Sequence, residues 1–331
     1  MRITPIRSII VGILALLLVG GVGAQTIRIG STAPENSPWG RSLNRLASEW
    51  QEISNGRVRV QVFHNNVAGV ESDMLRKMRI GQLQAAIITN TGLAAFSDQI
   101  MTLSMPLLIR SEDEFNYVFE RVQPTLESQI EDDGFRVLAW SLAGWIYPFA
   151  DIPVRTPDDL RALRLAASAE EQDLIRAYQL LGYQPVSISF PERLTGLVNN
   201  MADAHLTVPI LAAGFQWFGA TDHMTNIKIA PAPGAILLSE RAYRRLPSQY
   251  RDEMLEAAAR ISDDLNGEIQ ELERTALETM TEFGLTVVEP TEQEREAWAT
   301  EFMNAYGVML DTVFDEEMYR TIEGLLNEYR R

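Results

Sequence analysis

Cysteine is absent from all 331 residues. That excludes disulfide frameworks, thiolate nucleophiles, cysteine-ligated metals and lipid attachment at a mature N-terminal cysteine. Histidine is scarce: His64, His205 and His223 are scattered and show no metal-ligand spacing. There is no G-x-S-x-G elbow, no H-E-x-x-H and no phosphate-binding loop, nor any G-x-G-x-x-G opening a helix beyond the first 24 residues. An enzyme is left without recognisable machinery, and we expect neither catalysis nor a cofactor. Bases are few as well, 29 Lys and Arg against 45 Asp and Glu, for a net charge of −16. A chain this acidic lacks the clustered cations that grip phosphates, so nucleic acid is excluded as a partner.

Long apolar runs are missing too, with one exception. Ile9 to Val19 is apolar, follows Arg2 and Arg7, and precedes the small residues Val22-Gly23-Ala24. This is the pattern of a signal peptide over residues 1–24, too short and wrongly flanked for a comfortable membrane span. An uncleaved N-terminal anchor is the alternative reading. Cleavage before Gln25 leaves 307 residues with a net charge of −18. That length exceeds what one hydrophobic core usually serves and points to two lobes.

What is present is alternation of strands and helices. Thr26–Gly30 is a short strand, and Arg57-Val-Arg-Val-Gln-Val-Phe63 alternates with period two. Between them, Trp39 to Ile53 has helical spacing and stops at Asn55-Gly56. A helix over Glu71–Ile80 leads to a buried strand, Gln84–Thr89, and the polar turn Thr89-Asn-Thr-Gly92. This rhythm implies a mostly parallel sheet covered by helices. Strands at Phe135–Leu142 and Leu163–Ala167 restart the pattern in a second lobe. From Ser239 the chain reads as helical, including Ser248 to Phe283 with no internal proline. A helix of about 35 residues spans about 50 Å, longer than one lobe, so it is expected to cross both. Two more helical segments fill Thr291 to Arg331.

The segment Pro153-Val-Arg-Thr-Pro-Asp-Asp-Leu-Arg-Ala-Leu-Arg-Leu-Ala-Ala-Ser168 resembles the opening of the second lobe in the solute-binding subunits of TRAP transporters. There a capped helix, "T-P-E-D-L-K-G", leads into a strand, "L-K-I/L-R-V-P". Other pieces fit in order. Ser31-Thr-Ala-Pro-Glu-Asn-Ser-Pro38 and Asn55-Gly-Arg-Val-Arg-Val-Gln-Val-Phe63 look like the family's first loop and second strand. Gly69–Leu75, Ile80–Leu83, Met105–Arg110, Val198–Asp203 and Ser239–Leu246 follow at the family's spacing. The resemblance covers nearly the whole mature chain. It implies an α/β, two-lobed periplasmic-binding-protein-like fold with a long helix crossing both lobes. The expected division is residues 25–148 plus about 235–277 for lobe I, and 149–234 plus about 278–331 for lobe II.

The family's ligand positions are where the chain departs. The arginine that clamps a carboxylate in relatives falls on Ala166, and a second frequent cleft arginine falls on Trp145. The turn "D-G-x-E-N-P" reads Asp203-Ala-His-Leu-Thr-Val208, with Thr207 at the usual Asn, while aromatics are kept as Phe215, Trp217 and Phe218. Losing a bidentate guanidinium–carboxylate pair costs about 3–5 kcal/mol in a buried site. The resemblance therefore implies an extracytoplasmic receptor for an uncharged or amphipathic ligand, in an aromatic cleft including Trp145, His205 and Phe218. Thr89, Asn90 and Thr91 lie on the strand edge where such sheets bind ligands, although the same residues also make a plain turn. Arg164, two residues from Ala166 on one strand face, is the alternative substitute clamp for an ordinary organic acid; its other reading is a snorkelling surface side chain. Arg176 reads as solvent-facing, and Glu71 and Asp73 as helix-start acids. The partners implied are a small molecule and the membrane permease subunits, or else a helical-repeat periplasmic protein.

Overall fold

The computed structural model describes residues 24–331, so the expected signal segment lies outside the described residues apart from Ala24. Alternating burial of Ile27 and Ile29 marks β1 (Gln25–Gly30). Helix α1 (Pro38–Ile53) follows, its first turn capped by the Ser37 hydroxyl, which accepts from the Gly40 amide at 3.1 Å. Trp39, Leu43, Leu46 and Trp50 recur every three or four residues and are all buried. Truncating Leu43 to alanine would cost about 2–5 kcal/mol. The Asn55-Gly56 stop works as expected: both residues take positive φ, 51° and 74°. The chain then enters β2 (Val58–Phe63), parallel to β1. Helix α2 (Glu71–Arg79) returns it to β3 (Ala85–Thr89), parallel to β1 on the other side.

After a helical turn at Asn90–Leu93, α3 (Glu112–Asp132) leads into β4 (Phe135–Ala150). This strand runs for 16 residues, well past the expected end at Leu142. The second half comprises β5 (Arg164–Ala167), α4 (Gln172–Leu180), β6 (Gln184–Ser187), α5 (Arg193–Val198), β7 (Ala204–Thr207), α6 (Pro209–Gly214) and β8 (His223–Thr225). The chain returns through β9 (Ala230–Ser239) to the long α7 (Ser248–Glu282), then β10 (Thr286–Val288), α8 (Glu292–Thr312) and α9 (Glu316–Tyr329).

The strand order is β2-β1-β3-β9-β4-β7-β5-β6, with β8 on β4 and β10 on β8. Each half is parallel at its working edge, β1–β3 in one and β5–β7 in the other, and the antiparallel β9 and β4 lie between. β4 pairs with β9 up to Ile146 and with β7 from Tyr147, so one strand belongs to both halves. The change of partner follows a register shift between Leu142 and Trp145, at Gly144 with φ 122°. A Cβ there would lie 2.2 Å from Glu273 Oε1 of α7.

α7 is the crossing helix expected from the sequence. Its first half buries Met254, Ala257, Ala258 and Ile261, and the Trp50 indole donates to the Met254 carbonyl at 2.7 Å. Its middle packs Leu265 and Ile269 against Ile210 of α6 in the second half. α8 packs on α4, and α9 reaches back onto α3. Among the described residues, no helix is long and apolar enough to cross a membrane.

Two expectations need correction. Asp203–Val208 is not a turn, because Ala204–Thr207 pairs in register with both β4 and β5 as β7. A strand also runs through Ala230–Ser239, where none was expected. Pro231 and Pro233 sit opposite the β4 register shift and before the stretch paired with β3, where a missing N–H removes no ladder bond.

Candidate ligand-binding site

The carboxyl ends of β3, β5 and β7 converge, which is where open α/β sheets present ligand sites. On the first-half side the turn Thr89-Asn-Thr-Gly92 is held from below by Glu71. Its carboxylate accepts from the Thr89 amide and hydroxyl, both at 3.0 Å, and from the Gly92 amide. Burial nonetheless pushes the Glu71 carboxyl up to about 7. Any side chain at Gly92 would put its Cβ 2.2 Å from Glu71 Oε2, so this arrangement requires glycine. Asn90 is fixed by donating to Ser104 Oγ at 3.0 Å. Thr91 reaches across to the second half, its hydroxyl donating to Glu171 Oε1 at 2.8 Å. The other Glu171 oxygen accepts from the Ser168 amide at 3.0 Å, just past the end of β5. At this end of the strands the two halves touch through the Thr91–Glu171 hydrogen bond, while Ala33 and Trp39 pack with Ile210 farther along the junction.

On the second-half side, Ala166 is buried in a cluster with Ile188, Leu197 and Trp217, joined by the partly buried Phe190 and Phe215. Phe215 stacks on Trp217 with centroids 5.1 Å apart, and Phe190 meets both rings edge-on. His205 pairs with Ala166 across the sheet and lies 5.5 Å from the Trp217 ring. It is fully buried, bonded through Nε2 to Thr221 Oγ1 at 3.3 Å, with Nδ1 unpartnered. Burial, aided by the positive charge of Arg193, holds its pKa well below the usual imidazole value, so it is neutral.

The expected ligand residues therefore divide into groups. Ala166, His205, Phe215 and Trp217 come together, while Thr89, Asn90 and Thr91 belong to the first half, where Thr91 alone touches the second, at Glu171. Thr207 is buried on β7 opposite Tyr147, and Phe218 packs onto the main core. Trp145 is 3% exposed, has Lys228 over its ring at 5.0 Å, and borders a different space. This is a groove of about 500 Å³ along α7, shared with Ser111, Tyr147, Lys228 and Glu273. The Trp145 amide donates to Glu273 at 2.7 Å; burial raises that carboxyl to about 6.

Arg164 is the substitute clamp expected from the sequence. It stands at the outer start of β5 with its side chain 45% exposed, and its guanidinium is taken by both carboxylate oxygens of Asp203. The cation beside Trp217 is one that the sequence reading missed. Arg193, first residue of α5, is 6% exposed and is the one Lys or Arg buried among the described residues. Its guanidinium carbon lies 5.7 Å from the Trp217 ring centre. The available signal was local: Phe190 and Arg193 are three apart at a helix start and share a face.

Comparison with known proteins gives a consistent result. The family model described as bacterial extracellular solute-binding protein, family 7, matches residues 29–312. Among curated relatives, the 2,3-diketo-L-gulonate-binding periplasmic protein of Escherichia coli K12 is 21% identical over 92% of each chain. A solute-binding protein of Verminephrobacter eiseniae is 22% identical over 85% of this chain and 84% of its own. Among solved structures, a TRAP periplasmic solute-binding protein of Roseobacter denitrificans with bound L-galactonate superposes with TM-score 0.82 at 20% identity, covering 92% of this chain and 99% of the other. A Sulfurospirillum deleyianum protein with bound succinate gives TM-score 0.84 at 17% identity over the same shares.

Proposed function

Because the chain belongs to the bacterial extracellular solute-binding proteins of family 7, we propose that it is the periplasmic receptor of a TRAP-type transporter and captures a small organic acid between its lobes. The observation that carries this reading is the junction itself. The segments after β3 and β5, one from each half, meet through the Thr91–Glu171 hydrogen bond, a polar contact of the kind that parts and re-forms as lobes open and close. We take residues 25–148 with about 235–277 as lobe I, and 149–234 with about 278–331 as lobe II, the last helix docking back on α3. Export by residues 1–24 and delivery to membrane permease subunits belong to the same reading. Nothing observed favours a helical-repeat partner.

The acid reading displaces the uncharged or amphipathic ligand expected from Trp145 and Ala166. That expectation weighed the two emptied positions, with Arg164 and Arg176 as the substitutes considered, and left Arg193 out. Solved relatives carrying L-galactonate, succinate and D-glucuronate support the change. The test is calorimetric titration of the purified mature protein with those three acids. Micromolar binding of at least one is expected. Failure of all three, with a neutral molecule retained in native mass spectrometry, would restore the uncharged reading.

A further inference from the structure

We propose that Arg193 is the anion-binding residue of the interlobe cleft, receiving a ligand carboxylate in place of the clamp absent from Ala166 and Trp145. The proposal rests on the reading of the chain as an organic-acid receptor and goes beyond it by naming the residue and the charge it accepts.

Several observations converge on this side chain. Arg193 is more than nine-tenths buried, yet among the described residues it makes no ion pair, and its Nε is enclosed without an acceptor. A guanidinium stays protonated even when burial lowers its pKa, as here, so it is a buried charge with no ion-pair partner among the described residues. Proteins rarely bury such a charge without a partner, and the acids nearby are engaged by other groups rather than bonded to it. Glu171 acts on Arg193 through its field but gives its two oxygens to Thr91 and Ser168. Glu170 accepts from the Ser168 hydroxyl. His205 is neutral and offers no counter-charge, although its Nδ1 is a second buried atom without a partner.

The surroundings explain how the cation is placed. Trp217 packs in one cluster with Ala166, and Arg193 lies over the same ring. A methyl at 166 and a guanidinium from α5 therefore border one indole. The charge that relatives supply from the strand comes here from the adjacent helix. Phe190 and Phe215 wall the indole, and the arginine beside it is itself 6% exposed, a setting that strengthens a bidentate bond to a carboxylate.

The charge balance also restricts the ligand. The one cation lies in the field of Glu171, whose carboxyl in turn repels that of Glu71. A second carboxylate on the ligand would meet that repulsion, whereas hydroxyls would find Thr89 and Thr91. The site thus suits a hydroxylated acid with one carboxylate.

The test is calorimetry of the full mature protein, wild type, Arg193→Met and Arg193→Lys, against L-galactonate and succinate, with thermal midpoints of the unliganded proteins as a folding control. We expect the wild type to favour L-galactonate, Arg193→Met to weaken it about 100-fold or more, and Arg193→Lys to fall between. The midpoint of Arg193→Met should hold or rise, since an unpaired buried charge has gone. Galactonate affinity unchanged in Arg193→Met would overturn the assignment while leaving the acid reading intact. A wild type that prefers succinate would overturn the single-cation reading, and one that binds neither acid would remove the premise and the proposal together.

Discussion

Arg164 and Arg193 both belong to the second half of the molecule, and composition gives no reason to rank one above the other. Arg164 begins a strand, lies close to half exposed, and is held by Asp203 through its backbone amide and its guanidinium. Arg193 begins a helix, is buried beside the Trp217 ring, and its Nε has no acceptor among the described residues. The exposed pair is screened by water and gains little from its geometry. The enclosed cation sits where each hydrogen bond is stronger and each missing one more costly. Charge in a sequence shows what is available; solvent access decides what it can do.

The comparison can be broken most severely by removing the wall around Arg193. Trp217 is 2% exposed, and Trp217→Ala should cost about 3–5 kcal/mol in chemical denaturation. A loss below 1 kcal/mol would mean that the ring does not enclose the cation.

A strand cation can next be restored. Ala166 is 5% exposed, so Ala166→Arg must displace Trp217 or Ile188, at a cost of about 1–3 kcal/mol. It should improve succinate binding relative to L-galactonate by placing two cations side by side. Unchanged affinities for both would show that residue 166 does not reach the ligand.

The buried carboxyl under the Thr89–Gly92 turn has its own signature. Glu71 ionises near 4.5 when unfolded but only at about 7 in the folded protein. Between those values the folded state holds the extra proton, so stability falls as pH rises through the window, by an amount on the order of 1–3 kcal/mol. Glu71→Gln should flatten that part of a melting-temperature profile; an unchanged slope would place the titrating group elsewhere.

Least should follow from Arg164→Ala. The midpoint should stay within error and acid affinity within about two-fold. A larger affinity loss would restore Arg164 as the clamp.

Much of the fold was readable in residue order because local signals agree with tertiary need. The Leu43–Leu46–Trp50 spacing, the Asn55-Gly56 stop and the unbroken α7 are each fixed by their own residues. β9 was hidden because Pro231 and Pro233 argue against a strand, and only the β4 register shift makes them harmless. β7 was hidden because the family resemblance made Asp203–Val208 a turn, whereas two neighbouring strands claim its backbone. The site was half readable. Resemblance located Ala166, His205, Phe215 and Trp217 correctly as neighbours. It drew attention to the two emptied positions, and so past a cation that reaches the same indole from another element.

The strand shared by both halves has a consequence for dissecting the molecule. β4 is flanked by β9 on one side and by β7 on the other, and no cut in the chain leaves both neighbours satisfied. Either half expressed alone would carry a bare row of amides and carbonyls along a strand that is central in the whole protein. Such an edge pairs readily with copies of itself. The lobes are not modules to be produced, swapped or grafted separately, and fragments ending near Gly144 should come out of the cell as aggregates.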